Sequence, residues 1–503
     1  MQEHNVQETQ ERQEPEEVQV PVPKVGFVSL GCAKNQVNCE QMIWKTYEAG
    51  YEVALGAEGC DVAVVNTCGF LKEARDEAMG EIDKLVRQKQ AGNLKKIIVT
   101  GCMAQWWHDQ LAERCPGADG FVGVGSYQDI AKVIDEALEG QRPALFGDIN
   151  APVPETDRVV CTSDHWAWLR IAEGCDNHCT FCAIPEMQGP YRSRAREDIL
   201  AEAEMLARRG VKELIVIAQD ITTYGLDNYG RLALPELLHD LCKIDGIRWI
   251  RLLYAYPNNL SDDLIATIAS EEKICKYIDI PLQHADDEIL ARMNRKIDQA
   301  QIRALIAKLR ERVPGIMIRS TFIVGFPGET EADFQDTLDL VETCQFDNAF
   351  SFIYSPRPGT AAAKFDDQIP LEVSKERLQR LMDEYAGGVS QFYRTNEERL
   401  DYALKHIAML QSQFGYLRAR DLHELMQAHE TMDRVDVAET VVHHLKARKE
   451  TRWAGWQTRS DYPERDDANF DCFIESRRDP ATGKVETFTR PYEQLIPGDR
   501  YTA

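Results

Sequence analysis

The chain has 503 residues, of which 44% are hydrophobic, and this is enough for roughly three domains with cores of their own. Its formal net charge of −25 argues against a protein that coats nucleic acid through bulk charge. The absence of a long apolar run predicts no membrane span, and 14 cysteines in such a chain favour metal or catalytic use in a reducing cytoplasm. Residues 1–23, rich in Gln and Glu, are predicted to be a disordered acidic tail and not a signal peptide.

An α/β pattern fills residues 24–140, which we predict to form the first domain. Apolar runs with the length of buried strands alternate there with helical patterns, and this alternation predicts a parallel sheet. The predicted strands are 25–30, 61–66 and 96–100, and the predicted helices are 40–49 and 71–90.

A cysteine follows each of these three strands: Cys32, Cys68 and Cys102. The carboxyl ends of parallel strands share one edge of the sheet, so these side chains are expected to converge on one site. The repeated placement favours a three-thiolate metal cluster over the alternative of three structural cysteines in the core.

Several prolines and no clear period mark residues 141–160 as a linker, and the second domain is predicted for 161–386. Its first loop holds Cys175, Cys179 and Cys182 in the spacing C-x3-C-x2-C. Zinc usually needs a fourth protein ligand, and no fourth Cys or His follows at ligand spacing. Three thiolates can hold a 4Fe–4S cluster whose fourth iron stays open for chemistry.

Six strand–helix units are predicted in this second domain, two fewer than a closed eight-unit barrel contains. An open barrel of this kind leaves a lateral mouth that is wide enough for a macromolecular substrate. The predicted strands are 166–172, 213–218, 249–254, 277–281, 317–324 and 349–354.

Functional residues of such a barrel lie after the strands, at the carboxyl face. The candidates are Gln219 and Asp220 after the second strand, and the glycine-rich run with Gly325 and Gly328 after the fifth. Residues 281–284 and 355–359 follow the fourth and sixth strands. Each of these segments could instead be an ordinary loop, in which glycine and proline form turns and the polar side chains have hydrogen-bond partners.

The cysteine loop and the strand before it resemble the radical SAM superfamily. The segments SLGCAKN at 29–35, NTCGF at 66–70 and TGC at 100–102 resemble the amino-terminal domain of methylthiotransferases. The resemblance implies two 4Fe–4S clusters, with Cys32, Cys68 and Cys102 on an auxiliary one. It also implies that a catalytic cluster on Cys175, Cys179 and Cys182 cleaves S-adenosylmethionine, which is bound with the help of Gln219, Asp220, Gly325 and Gly328.

Within this family the first two segments resemble the branch that modifies an aspartate of ribosomal protein S-twelve in the small ribosomal subunit. The alternative branch modifies isopentenyl-adenosine in tRNA and usually has a Ser and a basic residue where Gly69 and Phe70 stand here. An alternative of another class is a non-catalytic iron–sulfur electron-transfer protein. The resemblance further implies a flavodoxin- or ferredoxin-type reductant.

The last segment, 387–503, departs from the family. A methylthiotransferase would continue into a small β-barrel called TRAM, whereas residues 385–445 are predicted to be helical. This tail resembles the carboxyl-terminal part of adenylylsulfate reductase alpha subunits, in the fumarate reductase flavoprotein group. No Gly-x-Gly-x-x-Gly follows a strand, so a flavin is not expected. A natural fusion and an artefact of gene prediction both remain open.

Overall fold

The computed structural model describes residues 22–153, 155–384, 394–452 and 458–491. The chain divides into two compact units, residues 1–369 and 370–503. The predicted acidic tail lies outside the described residues except for its last two positions, 22 and 23. None of the helices in these described ranges is both long and apolar enough to cross a membrane.

The first unit begins with a parallel sheet of six strands in the order β2-β1-β3-β4-β5-β6. The strands are β1 (Lys24–Ser29), β2 (Glu52–Leu55), β3 (Val62–Thr67), β4 (Lys96–Gly101), β5 (Gly120–Val122) and β6 (Ala144–Leu145). The helices are α1 (Ala33–Glu48), α2 (Lys72–Gln90), α3 (Cys102–Trp106), α4 (Leu111–Arg114) and α5 (Ile130–Leu138), with a 3-10 helix at Val124–Asp129.

Helices cover both faces of this sheet, which explains why its central strands read as continuous apolar runs. Helices α1 and α5 pack on one face through residues such as Met42 and Ile134. Helices α2, α3 and α4 pack on the other face through residues such as Ile82 and Met103. The parallel sheet is thereby confirmed. The segment 141–160, which the sequence assigned to a linker, contributes the edge strand β6.

A second parallel sheet follows, with its six main strands paired in the order β14-β13-β12-β11-β10-β7. Every strand predicted for this domain is present, with bounds that differ by a few residues. The strands are β7 (Trp166–Arg170), β10 (Glu213–Ile217), β11 (Trp249–Leu252), β12 (Ile274–Gln283), β13 (Met317–Val324) and β14 (Asn348–Ile353), and the short pair β8 (Ala172–Glu173) and β9 (Arg192–Ser193) lies beside them.

A helix connects each pair of successive strands. The strands pair in chain order, and the sheet stays open between β14 and β7. Polar caps begin several of these helices; Asp298 and Gln301, for example, form a reciprocal capping box. The helices are α6 (Ile184–Gln188), α7 (Arg196–Arg208), α8 (Leu226–Tyr229), α9 (Leu234–Lys243), α10 (Asp262–Ser270), α11 (Asp287–Arg292), α12 (Gln299–Arg312) and α13 (Glu331–Cys344), with 3-10 helices at Ile221–Thr223, Pro257–Asn259 and Ala362–Lys364.

Buried ion pairs join the two sheets of the first unit. Arg158 is 1% exposed and forms ion pairs with Glu40 of α1 and with Glu202 of α7. Arg194 also bonds Glu202, with 2.6 Å between Nη1 and Oε2. Burial alone would raise the pKa of Glu202, but the charges of Arg194 and Arg158 lower it overall. The network therefore keeps Glu202 charged in the interior.

The second unit is mainly helical, as predicted, but it also contains an antiparallel hairpin that the sequence analysis missed. The hairpin turns at Asp479–Gly483, a Pro- and Gly-containing turn signal, and cross-strand pairs such as Arg477 with Glu486 stabilise it. The elements are α14 (Leu371–Glu384), β15 (Arg394–Thr395), α15 (Glu397–Ser412), α16 (Leu422–Ala447), β16 (Thr458–Arg459), α17 (Asp467–Phe470), β17 (Cys472–Arg478) and β18 (Val485–Pro491), with a 3-10 helix at Phe414–Tyr416.

We predict that Glu40→Ala destabilises the full chain by about 3–5 kcal/mol, because it leaves the buried Arg158 without one of its carboxylate partners. Glu48→Ala on the same helix is the matched control. It breaks only the exposed pair with Lys45, which contributes about 0–1 kcal/mol. Urea unfolding of both variants measures the difference, and equal losses would contradict a role for the buried network.

Candidate active site

The three cysteines of the first sheet lie where its strand order reverses. Cys32 follows β1 and precedes α1, and Cys68 follows β3, the strand on the opposite side of β1 from β2. Cys102 follows β4 and begins α3. Open parallel sheets bind ligands at this kind of switch point, outside the carboxyl ends of the strands.

The structure brings these three thiols together. Burial raises the pKa of Cys102 above that of a free thiol, and the nearby Cys32 and Cys68 raise it further. Burial and Cys32 likewise raise the pKa of Cys68. These residues were predicted at one edge of the sheet, and they lie there close enough for Cys32 and Cys68 to affect the pKa of Cys102.

Two glycines allow this close approach of the loops. A Cβ on Gly69 would lie 2.9 Å from Met187 Sδ and 3.0 Å from the carbonyl of Cys102. Gly101 has φ +98° and a Cβ there would lie 2.4 Å from the carbonyl oxygen of Thr67. Side chains at these positions would push the loops apart, which gives a physical reason for glycine beside Cys68 and Cys102.

The second set, Cys175, Cys179 and Cys182, occupies the loop between β8 and α6. Burial raises the pKa of Cys182 to about 12, and the neighbouring Cys179 and Cys175 add to the rise. Burial also raises the pKa of Cys175 to about 11, and Asp220 and Cys179 contribute to that rise. Burial thus disfavours the charged thiolate form of Cys175 and Cys182.

Residues after β12 hold this loop in place. His178 adopts a left-handed conformation with φ +47°, and its carbonyl accepts a hydrogen bond of 2.9 Å from Asn294 Nδ2. The backbone N–H of Thr180 donates to the carbonyl of Met293 at 3.1 Å. Arg295 Nη1 lies 3.6 Å from Cys179 Sγ, so a guanidinium is available to donate to a thiolate there.

The donor sets fit iron–sulfur clusters. Each set consists of three cysteines, and cysteine thiolates are the ligands that hold such clusters. Across the described ranges, no group of three His, Cys, Asp or Glu side chains is placed to bind a single metal ion. A cluster spreads its thiolates over several irons, so it accommodates thiols that are too far apart for one ion.

Helix α6 connects the two sets. It begins two residues after Cys182, and its last residue, Gln188, donates a hydrogen bond of 3.0 Å from Nε2 to Cys102 Sγ. The next residue, Gly189, accepts a bond of 3.2 Å from the N–H of Cys175. Gln188 was not predicted, because neither its residue type nor its spacing marks it as a partner of a thiol 86 positions away.

Asp220 supports the second cysteine loop from the end of β10. Its carboxylate accepts hydrogen bonds from Thr222 N at 2.9 Å, Thr222 Oγ1 at 2.5 Å and Thr223 Oγ1 at 2.7 Å. It also accepts a bond of 3.0 Å from Asn177 Nδ2, within the cysteine loop. Asn177 was not among the predicted residues. Gln219, the neighbour of Asp220, is half-buried at the same strand end.

The glycine-rich run after β13 contains two left-handed residues, Gly325 with φ +71° and Gly328 with φ +85°. A Cβ on Gly328 would lie 2.8 Å from Arg292 Cζ, so this glycine packs against the ion pair of Arg292 and Asp367. Nearby, the carboxylate of Glu329 accepts a bond of 2.8 Å from the N–H of Phe326. These contacts fix the shape of the loop.

Family models match three successive parts of the chain. The model of the radical SAM superfamily matches residues 169–341, and that of the uncharacterized protein family UPF0004 matches residues 24–123. The model described as the fumarate reductase flavoprotein C-terminus matches residues 375–495.

Curated relatives decide the family. A ribosomal protein uS12 methylthiotransferase RimO from Pelotomaculum thermopropionicum is 47% identical over 363 residues, which are 71% of this chain and 81% of the relative. The RimO of Geobacter sulfurreducens is 46% identical over the same shares of the two chains. This chain belongs to the RimO family. The predicted resemblance to methylthiotransferases of the ribosomal-protein branch is thereby confirmed.

Solved structures of two kinds resemble parts of this chain. The radical S-adenosylmethionine methyltransferase TsrM from Kitasatospora setae, with cobalamin and a [4Fe-4S] cluster bound, covers 73% of this chain and 85% of its own, with a TM-score of 0.53. At 14% identity this likeness concerns the fold alone. An adenylylsulfate reductase from Archaeoglobus fulgidus is 45% identical over 25% of this chain and 20% of its own, with a TM-score of 0.22.

We predict that Asp220→Asn destabilises the chain by about 1–3 kcal/mol and loosens the loop of Cys175, because an amide NH2 would face donors that now bond a carboxylate. The loop should then release iron to a chelator faster than in the parent protein. Asp227→Asn is the control, since that carboxylate also accepts two hydrogen bonds, from Ser193, but is exposed. Iron release at the same rate in both variants would contradict the prediction.

Proposed function

We propose that this chain methylthiolates the β-carbon of an aspartate in ribosomal protein uS12, using two 4Fe–4S clusters and two molecules of S-adenosylmethionine, one for the radical and one for the methyl group. One observation carries the proposal: in a member of the RimO family, two sets of three cysteines lie on either side of one short helix, α6. Chemistry that combines a radical with a sulfur transfer needs two such centres close together.

The two sets of cysteines are proposed to have different roles. Cys175, Cys179 and Cys182 would hold the cluster that, with S-adenosylmethionine, supplies an adenosyl radical able to take hydrogen from an unactivated carbon. Cys32, Cys68 and Cys102 would hold the auxiliary cluster from which the sulfur is delivered. Gln219, Asp220, Gly325 and Gly328 are proposed to shape the S-adenosylmethionine site at the strand ends.

Apolar side chains protect the radical site from water. Cys179 and Cys182 pack against a cluster that contains Phe181, Phe326 and Tyr354, all of them buried. The rings of Phe326 and Tyr354 meet edge to face with centroids 5.2 Å apart. A dry and rigid wall suits a radical intermediate, because it keeps solvent and its solutes away from the reacting carbon.

The ribosomal-protein substrate is supported over tRNA by Gly69 and Phe70, which stand where the tRNA branch usually has a Ser and a basic residue. The net charge of −25 gives no bulk attraction for RNA. A purely electron-transferring role would leave the strand-end loops of the second sheet without a purpose. We extend the proposal to a cytoplasmic location and to a flavodoxin- or ferredoxin-type reductant.

We predict that the parent protein binds about eight irons per chain when it is reconstituted without oxygen, and that the triple variant Cys175→Ala, Cys179→Ala, Cys182→Ala binds about four. The variant should form no 5′-deoxyadenosine from S-adenosylmethionine, and mass spectrometry should find ribosomal protein uS12 unmodified. Cleavage of S-adenosylmethionine at the parental rate would remove the radical role from this loop. The control is Cys344→Ala, a buried cysteine on α13 outside both sets.

Loss of the auxiliary site should have a different effect. We predict that Cys68→Ala still cleaves S-adenosylmethionine but adds no sulfur to uS12, since its place after β3 is separate from the loop of Cys175. The measurement compares 5′-deoxyadenosine with methylthiolated uS12 in one reaction. Parental methylthiolation by this variant would show that Cys68 is not part of the sulfur-delivering site.

A further inference from the structure

Arg357, in the loop after β14, contacts both cysteine loops. Its Nε donates a hydrogen bond of 2.9 Å to the carbonyl of Phe70, two residues after Cys68. Its Nη1 donates a bond of 2.6 Å to the carbonyl of Phe181, the residue before Cys182. Its guanidinium carbon also lies 4.1 Å from the centre of the Phe70 ring. One side chain thus joins two loops that are far apart in the sequence.

The surroundings of Arg357 fix its position. The side chain is only 6% exposed, and its carbonyl accepts a bond of 2.7 Å from Thr360 Oγ1, which closes the loop on itself. In the same loop, a Cβ on Gly359 would lie 2.8 Å from Glu186 Oε2 on α6. The loop after β14 therefore rests on the same helix that connects the two cysteine sets.

Among the residues that the structure describes, no carboxylate lies at hydrogen-bond distance from the Arg357 guanidinium. Within the ranges that the structure describes, its hydrogen bonds go to backbone carbonyls. A buried guanidinium needs compensating negative charge nearby. One of these carbonyls belongs to the residue before Cys182, so the guanidinium lies beside the loop whose thiolates would hold the radical cluster.

From these contacts we infer that Arg357 is a positioning residue that sets the distance between the auxiliary and the radical cluster. The inference rests on the proposed function, since it concerns two clusters in one chain. Sulfur has to reach a carbon radical before that radical is quenched, so a fixed separation of the two centres determines how many radicals become product.

Arginine suits this task better than lysine does. Its planar guanidinium directs two donors at a fixed angle, so the carbonyls of Phe70 and Phe181 are held in one relative orientation. A lysine keeps the charge but has a single point of attachment on a flexible stem. Arg357→Lys therefore separates the geometric role from the charge.

The test uses the full chain with both clusters reconstituted and reduced. Pulsed electron paramagnetic resonance measures the distance distribution between the clusters, and a parallel assay measures methylthiolated uS12 per 5′-deoxyadenosine. We expect Arg357→Lys to broaden the distance distribution and to lower the product ratio by about 10- to 100-fold. A distribution identical to that of the parent protein would overturn the inference.

Arg310→Lys is the matched control. Arg310 also donates to two backbone carbonyls, those of Cys344 and Gln345, but it lies on α12 and touches neither cysteine loop. This variant should keep the parental distance and ratio. A change as large as that of Arg357→Lys would show that any lost arginine loosens the fold, and it would overturn the specific role.

A second variant covers the case in which Arg357→Lys fails to retain iron. Phe70→Leu keeps the backbone carbonyl but removes the ring against which the guanidinium packs. We expect a smaller broadening of the same distance distribution, and an unchanged one would overturn the inference. A parent protein that lacks a second cluster would instead contradict the proposed function, so the two failures are distinguishable.

Discussion

The arrangement of the site depends on one short connection, the five-residue helix α6 between Cys182 and Gly189. At one end it continues from the radical loop, and at the other end Gln188 bonds the thiol of Cys102. Such a short helix has almost no length to vary, so it limits how far apart the two centres, which belong to separate sheets, can lie. The strand-end loops pack around α6. Because Gly69 has no side chain, it leaves space for Met187 of this helix.

Much of the fold followed from periodicity and chain order, because parallel strands have only one carboxyl edge at which Cys32, Cys68 and Cys102 could meet. The partners of the thiols did not follow. Gln188 and Asn177 act through contacts between distant segments, and an amide carries no spacing rule that would identify such a contact. Strand β6 was also missed, since two residues at a sheet edge, Ala144 and Leu145, leave no pattern to detect.

The carboxyl-terminal unit contains helices that the local sequence pattern predicts and a hairpin that it does not. Its long helices α15 and α16 were predicted from their apolar periodicity. The hairpin of β17 and β18 was overlooked because its strands carry many charges, which pair across the strands as in Arg490 with Glu475. Hydrophobic alternation is the usual sign of a strand, and here ion pairs and a tight turn replace it.

The buried pairs of Arg158 also bear on how a large substrate gains access. Separating α1 from α7 would expose Arg158, Glu40 and Glu202 to water one after another, with their mutual attraction lost before hydration is complete. The first unit is therefore poorly suited to opening and closing like a hinge during each turnover. Access to the cysteines then cannot depend on α1 and α7 moving apart, so a protein substrate would have to present its target residue to the chain as it is folded.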